Sequence, residues 1–124
     1  MAKKILVADD EVPIRRIITE KLSSAGYTIF IAKNGQEAVE IAKKEKPDLI
    51  IMDIMMPVMN GIEAIKILKQ DPDMANTHMF VLTAMEFGET EKEIVSIVGA
   101  SNVINKPFSP KELLNAIDAR IGKA

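Results

Sequence analysis

Leu49-Ile50-Ile51-Met52-Asp53-Ile54-Met55-Met56-Pro57-Val58-Met59-Asn60-Gly61 is the stretch whose reading decides the fold. Its first four residues form an unbroken apolar run of strand length, without the alternation of a sheet wetted on one face, and the run ends in a carboxylate. Pro57 and Gly61 then shape a loop and start the next helix. A strand buried on both faces that delivers an acid to its C-terminal end belongs to a parallel sheet with a site on its rim.

Working outward, strand-length apolar runs recur near residues 4–8, 27–32, 78–83 and 102–105. The first ends in Asp9-Asp10, the fourth in Thr83, and the last leads into Lys106-Pro107. Helical spacing fills the intervals. Ile14, Ile17, Ile18 and Leu22 are expected to share one face of the first helix, which carries Pro13 in its first turn and closes at Gly26. Ala38, Val39 and Ala42 mark the second, with Asn34 as N-cap and Pro47 past its end. Ile62, Ile65 and Leu68 mark the third, and Ile94, Ile97 and Val98 the fourth. Ser109-Pro110-Lys111-Glu112 opens the fifth as a capping box, with Leu113, Leu114, Ile117 and Ile121 on its apolar face. Strands alternating with helices predict an α/β fold, a five-stranded, mostly parallel, doubly wound sheet covered on both faces. No repeat or linker divides the chain, so residues 1–124 are expected to form a single domain.

Composition excludes several functions. A net charge of −2, with the 16 Lys and Arg residues spread along the chain, gives no footprint for direct nucleic-acid binding. No cysteine is present, which removes disulfides, thiolate metal sites and thiol nucleophiles, and suits a reducing cytoplasm. No apolar run approaches the roughly 20 residues of a membrane span, and Met1-Ala-Lys-Lys carries no signal-peptide pattern. A cytoplasmic protein without membrane contact is expected.

The parallel fold brings Asp9, Asp10, Asp53, Thr83 and Lys106 to one rim. Three carboxylates kept ionised together call for a cation, and an all-oxygen set points to a hard divalent ion, Mg²⁺ first. Beside such an ion, a lysine serves as a point charge for a phosphoryl group and a threonine hydroxyl as a donor to one of its oxygens. Asp53 is then placed as the nucleophile of a phosphoryl transfer, forming an acyl phosphate. Read singly, the residues allow blander roles: Asp9 and Asp10 as a turn or capping pair, Thr83 as a strand residue, Lys106 as a loop lysine. His78, the one histidine, falls on the opposite rim and reads as a surface or structural residue.

Asp9-Asp10, Asp53 with Met56-Pro57 and Gly61 after it, Thr83-Ala84 and Lys106-Pro107-Phe108 together resemble the receiver domain of two-component response regulators, over essentially the whole chain. The resemblance implies strand order 2-1-3-4-5 and phosphorylation of Asp53 by a histidine kinase or histidine phosphotransfer protein. It implies that Asp10, Asp53 and the backbone carbonyl of Met55 ligate Mg²⁺, with Asp9 acting chiefly through water. It further implies that Thr83 and Lys106 contact the phosphoryl group and that the Lys106-Pro107 peptide is cis. The chain is then a signalling switch rather than an enzyme, with only Mg²⁺-dependent autophosphorylation and slow autodephosphorylation of its own. It would control a downstream protein target as a monomer or a phosphorylation-dependent dimer.

The sequence departs from the family pattern at Val103, where an aromatic usually reports the switch, so coupling is expected through Thr83, residues 84–88 and the fourth helix. The resemblance places Met55 and Met85 where the approach of hydrolytic water is flanked in this family; they can neither orient nor deprotonate it, which predicts a long-lived phosphoryl group. Three rivals fit less well. A haloacid-dehalogenase-type phosphatase needs an acid where Met55 stands, and a flavodoxin-like carrier needs a Ser/Thr/Gly-rich loop where Asp9-Asp10-Glu11 stands. A phosphorylation-independent docking domain would be expected to have lost site residues, and none is lost. The resemblance would dock the donor near Ile14, Arg15 and Ile18. The fourth helix begins with Glu89, Glu91 and Glu93 and the fifth carries Lys111 and Arg120, opposed charges that read either as a solvated face or as pairs across a dimer.

Overall fold

Strands β1 (Lys4–Ala8), β2 (Thr28–Ala32), β3 (Leu49–Asp53), β4 (His78–Thr83) and β5 (Val103–Asn105) alternate with helices α1 (Val12–Ser24), α2 (Gly35–Glu45), α3 (Gly61–Lys69), α4 (Glu89–Val98) and α5 (Pro110–Ile121). The computed structural model describes residues 3–54, 56–74, 76–83, 89–99, 102–105 and 108–122, with the backbone alone described at 89–91. All strand pairs are parallel, and the sheet order is β2-β1-β3-β4-β5. The expected fold and order hold. A short 3₁₀ turn at Pro72–Met74 is the one described element that hydrophobic periodicity did not announce.

Strand residues feed two cores in alternation. Leu6, Ile50, Met52, Met79 and Val81 pack toward α2, α3 and α4. Ile5, Val7, Leu49, Ile51, Phe80 and Leu82 pack toward α1 and α5. This two-sided demand is why β3 reads as continuous apolar sequence, and all five of its residues are buried.

Helix ends follow the local chemistry. Asn34, Asn60 and Ser109 each cap their helix by accepting from the backbone N–H three residues on. After α1, Gly26 at φ 100° lets Gly26 N–H reach Ser23 O and Tyr27 N–H reach Leu22 O, a Schellman closure. One apolar assignment fails. Ile18 and Leu22 are buried and Ile14 packs against them, but Ile17 is 49% exposed. It lies about 100° round the helix from Ile18, beyond the stripe that the sheet and α5 cover. Among the described residues, no helix is long and apolar enough to cross a membrane.

Candidate functional site

The sheet order reverses between β1 and β3, because the chain leaves β1 for β2 on one side and returns to β3 on the other. A crevice opens there at the C-terminal ends of the strands. Ala8 is in register with Met52, so Asp9 and Asp53 emerge side by side. Asp53 in turn stands opposite Leu82, which brings Thr83 to the same rim.

One carboxylate oxygen from each of Asp9, Asp10 and Asp53 lies within 4.8 Å of the other two. Asp9 and Asp53 are buried, at 0% and 3% exposure, while Asp10 is exposed at the mouth. Burial of two acids beside a third is an arrangement that a bound cation stabilises and that otherwise carries mutual repulsion. Oxygen donors alone, with no imidazole or thiolate among them, suit a hard metal ion.

Asp9 combines its two readings. Its Oδ1 accepts from Glu11 N–H at 2.8 Å, a turn contact ahead of α1, and its carbonyl accepts from Arg15 Nη1 at 3.1 Å. That bond and the packing of Ile14 and Ile18 turn these three residues inward, so the outward apolar residues of α1 are Val12 and Ile17 instead.

Thr83 ends β4 and is buried. Lys106, Met55, Met85, the segment 84–88 and the Lys106-Pro107 peptide lie outside the described residues. Val103, where an aromatic was missing from the pattern, is half-buried against the α2-α3-α4 core, in register with Val81. His78 is exposed at the opposite rim.

Sequence reasoning missed how the loop after Asp53 is held. Ile54 N–H donates to Leu82 O at 3.3 Å, and Gly61 N–H closes the loop on Ile54 O at 3.0 Å. From outside the loop, Gly35 N–H at the start of α2 donates to Met59 O at 2.8 Å. The only signal was a glycine directly after the Asn34 cap, a place where any good helix former would otherwise serve. On the exposed face of α4, Glu93 pairs with Lys66 of α3 at 2.5 Å, and on α5 Arg120 donates to Asn102 Oδ1.

A family model of the response regulator receiver domain matches residues 5–118. The probable transcriptional regulator ycf27 of Porphyra purpurea is 42% identical over 112 residues, which is 90% of this chain and 44% of that protein. The phosphate regulon transcriptional regulatory protein PhoB of Pseudomonas aeruginosa is 42% identical over 120 residues, covering 96% of this chain and 52% of its own. The chain thus spans about half the length of the curated relatives it matches. Among solved structures, the chemotaxis response regulator CheY4 of Vibrio cholerae superposes with a TM-score of 0.86 at 34% identity, over 96% of this chain and 98% of that one.

Proposed function

The chain belongs to the receiver-domain family of two-component response regulators, and from that membership we propose that Asp53 is its phosphoacceptor, loaded by a histidine kinase or a histidine phosphotransfer protein. The observation that carries the reading is the convergence of the Asp9, Asp10 and Asp53 carboxylates within 4.8 Å at the crevice where the sheet order reverses. Three hard oxygen donors fit Mg²⁺, which would be held by Asp10, Asp53 and the Met55 carbonyl, with Asp9 acting through water. When bound, that ion supplies charge neutralisation between the carboxylates and the incoming phosphoryl oxygens.

The residues of the chain then act in turn. An Asp53 carboxylate oxygen attacks phosphorus while the P–N bond of the donor phosphohistidine breaks and its electron pair leaves with the imidazole. An acyl phosphate forms on Asp53. The Thr83 hydroxyl donates to a phosphoryl oxygen, and Lys106 balances the added charge. Met55 and Met85 offer water no base, so the acyl phosphate persists. Residues 1–124 act as one receiver domain, a cytoplasmic switch whose phosphorylated form controls a downstream protein as a monomer or a phosphorylation-dependent dimer. The receiver domain itself makes no direct contact with nucleic acid or membrane.

Acetyl phosphate with Mg²⁺ tests this directly. The parent should gain one phosphoryl group by intact mass, and Asp53→Asn and EDTA-treated samples should gain none. Equal labelling of Asp53→Asn would sink the assignment.

A further inference from the structure

The segment from Asp53 to α3 is gripped at two places where backbone meets backbone. A Cβ on Gly61 would stand 2.2 Å from the Asp53 carbonyl oxygen, and one on Gly35 would stand 2.2 Å from the Met59 oxygen and 2.9 Å from the Met59 carbon. No side-chain rotation relieves either contact, because the atoms met belong to the main chain. Gly35 also donates its N–H to that same Met59 oxygen at 2.8 Å. A short path therefore runs from the N-terminus of α2, through Met59, Asn60 and Gly61, to the backbone of Asp53.

Between these fixed points the apex is strained. Met59 N–H donates to Pro57 O at 2.7 Å across Val58, whose φ is 67°. This is the positive-φ form of the γ-turn, which a β-branched residue adopts only at a cost. Burial does not offset the cost, since Val58 is 78% exposed. The surrounding contacts impose the conformation, as happens where strain is held at a site that must be preorganised.

We propose that Gly35 is a positioning residue for the phosphoacceptor site: its close approach to Met59 sets where Asp53 stands against Asp9 and Asp10, and the strain at Val58 is the consequence of that placement. This rests on the reading of Asp53 and its neighbouring acids as a Mg²⁺ site. Gly35 touches neither metal nor phosphoryl group and acts only through the loop.

Three variants test it: Gly35→Ala, Val58→Gly and the pair combined. Each is measured for Mg²⁺ affinity by calorimetry and for thermal unfolding in EDTA. Gly35→Ala should weaken Mg²⁺ binding about tenfold, the lower end for a group that orients a metal ligand. Val58→Gly should raise the unfolding temperature in EDTA. In the double variant, freeing the apex lets the loop accommodate Ala at position 35 and recovers most of the lost affinity, a non-additivity that general destabilisation would not produce. Unchanged affinity in Gly35→Ala, or strict additivity in the pair, overturns the proposal. If Gly35→Ala does not fold, hydrogen exchange on the parent decides: protection of the Gly35 amide should rise about tenfold on Mg²⁺ saturation, because coupling between metal and loop is reciprocal. Unchanged protection overturns the proposal. A parent that binds no Mg²⁺ overturns the phosphoacceptor reading and this inference together, whereas a parent that binds it, with unresponsive variants, overturns this inference alone.

Discussion

At the N-terminal rim of the sheet, polar groups from distant parts of the chain satisfy one another. At the C-terminal rim, three carboxylates converge within 4.8 Å. Tyr27, buried just before β2, donates its hydroxyl to Asp118 Oδ1 at 2.5 Å and sits 2.8 Å from the Gly122 carbonyl. Lys3 donates to the Ile121 carbonyl, and Lys4 N–H to Asp48 Oδ2 at 2.8 Å. The Tyr27 and Lys3 contacts pin the end of α5 beneath β1 and β2, and the Lys4 contact ties β1 to the turn before β3, so this rim is built for stability. The other rim carries repulsion among its acids and strain at Val58, the pattern expected where structure serves a ligand instead of its own free energy. Both rims are made by the same strands, so the difference lies in what each strand end carries.

The contrast should break first at Tyr27. Replacing it by Phe removes the buried hydroxyl that donates to Asp118 and should lower unfolding stability by about 1–3 kcal/mol in a denaturant titration. The effect should also depend on pH in a stated direction. Burial, reinforced by the hydrogen bond and charge of Asp118, raises the Tyr27 phenol well above its ordinary value of 10.0. Below pH 10 both states keep the proton and the contribution is complete. Above it the unfolded chain ionises first, so stability falls as pH rises through the folded-state value. The gap between parent and Tyr27→Phe should therefore narrow in alkali; a gap that stays constant from pH 8 upward would deny this role.

At the other rim the sign reverses. In EDTA, Asp53→Asn should raise stability by at least roughly 1 kcal/mol, since two unit charges about 4 Å apart repel by that much even in a water-like dielectric and Asp9 and Asp53 are buried. Saturating Mg²⁺ should stabilise the parent more than the variant. A destabilised variant in EDTA would mean that the acids are not in mutual repulsion. The smallest effect belongs to the exposed pair between Lys46 and Asp73, 3.8 Å apart at the N-terminal rim. Lys46→Ala should change stability by less than about 0.5 kcal/mol, which would show that buried contacts and not surface charge hold that rim.

Much of this was legible in advance for a physical reason. Strand runs and helical stripes are local patterns, and burial acts on each element's face without regard to direction. Thus β3, the Asn34 and Ser109 caps and the placement of Asp9, Asp10, Asp53 and Thr83 on one rim followed from spacing. Ile17 misled, because an apolar residue at helical spacing does not say how wide the covering surface is. The partners of Glu93 and Arg120, Lys66 and Asn102, were not legible either, since they come from other elements.

By itself, then, the sequence determined the alternation of elements, the parallel sheet and the acids at its strand ends, since each depends on neighbours a few residues apart. Only the tertiary structure decided that Gly35 presses on Met59, that Val58 is held at φ 67° and that Tyr27 clasps the end of α5. Those contacts join segments far apart in the chain, and their geometry is fixed by how whole helices seat on the sheet, which no local pattern encodes.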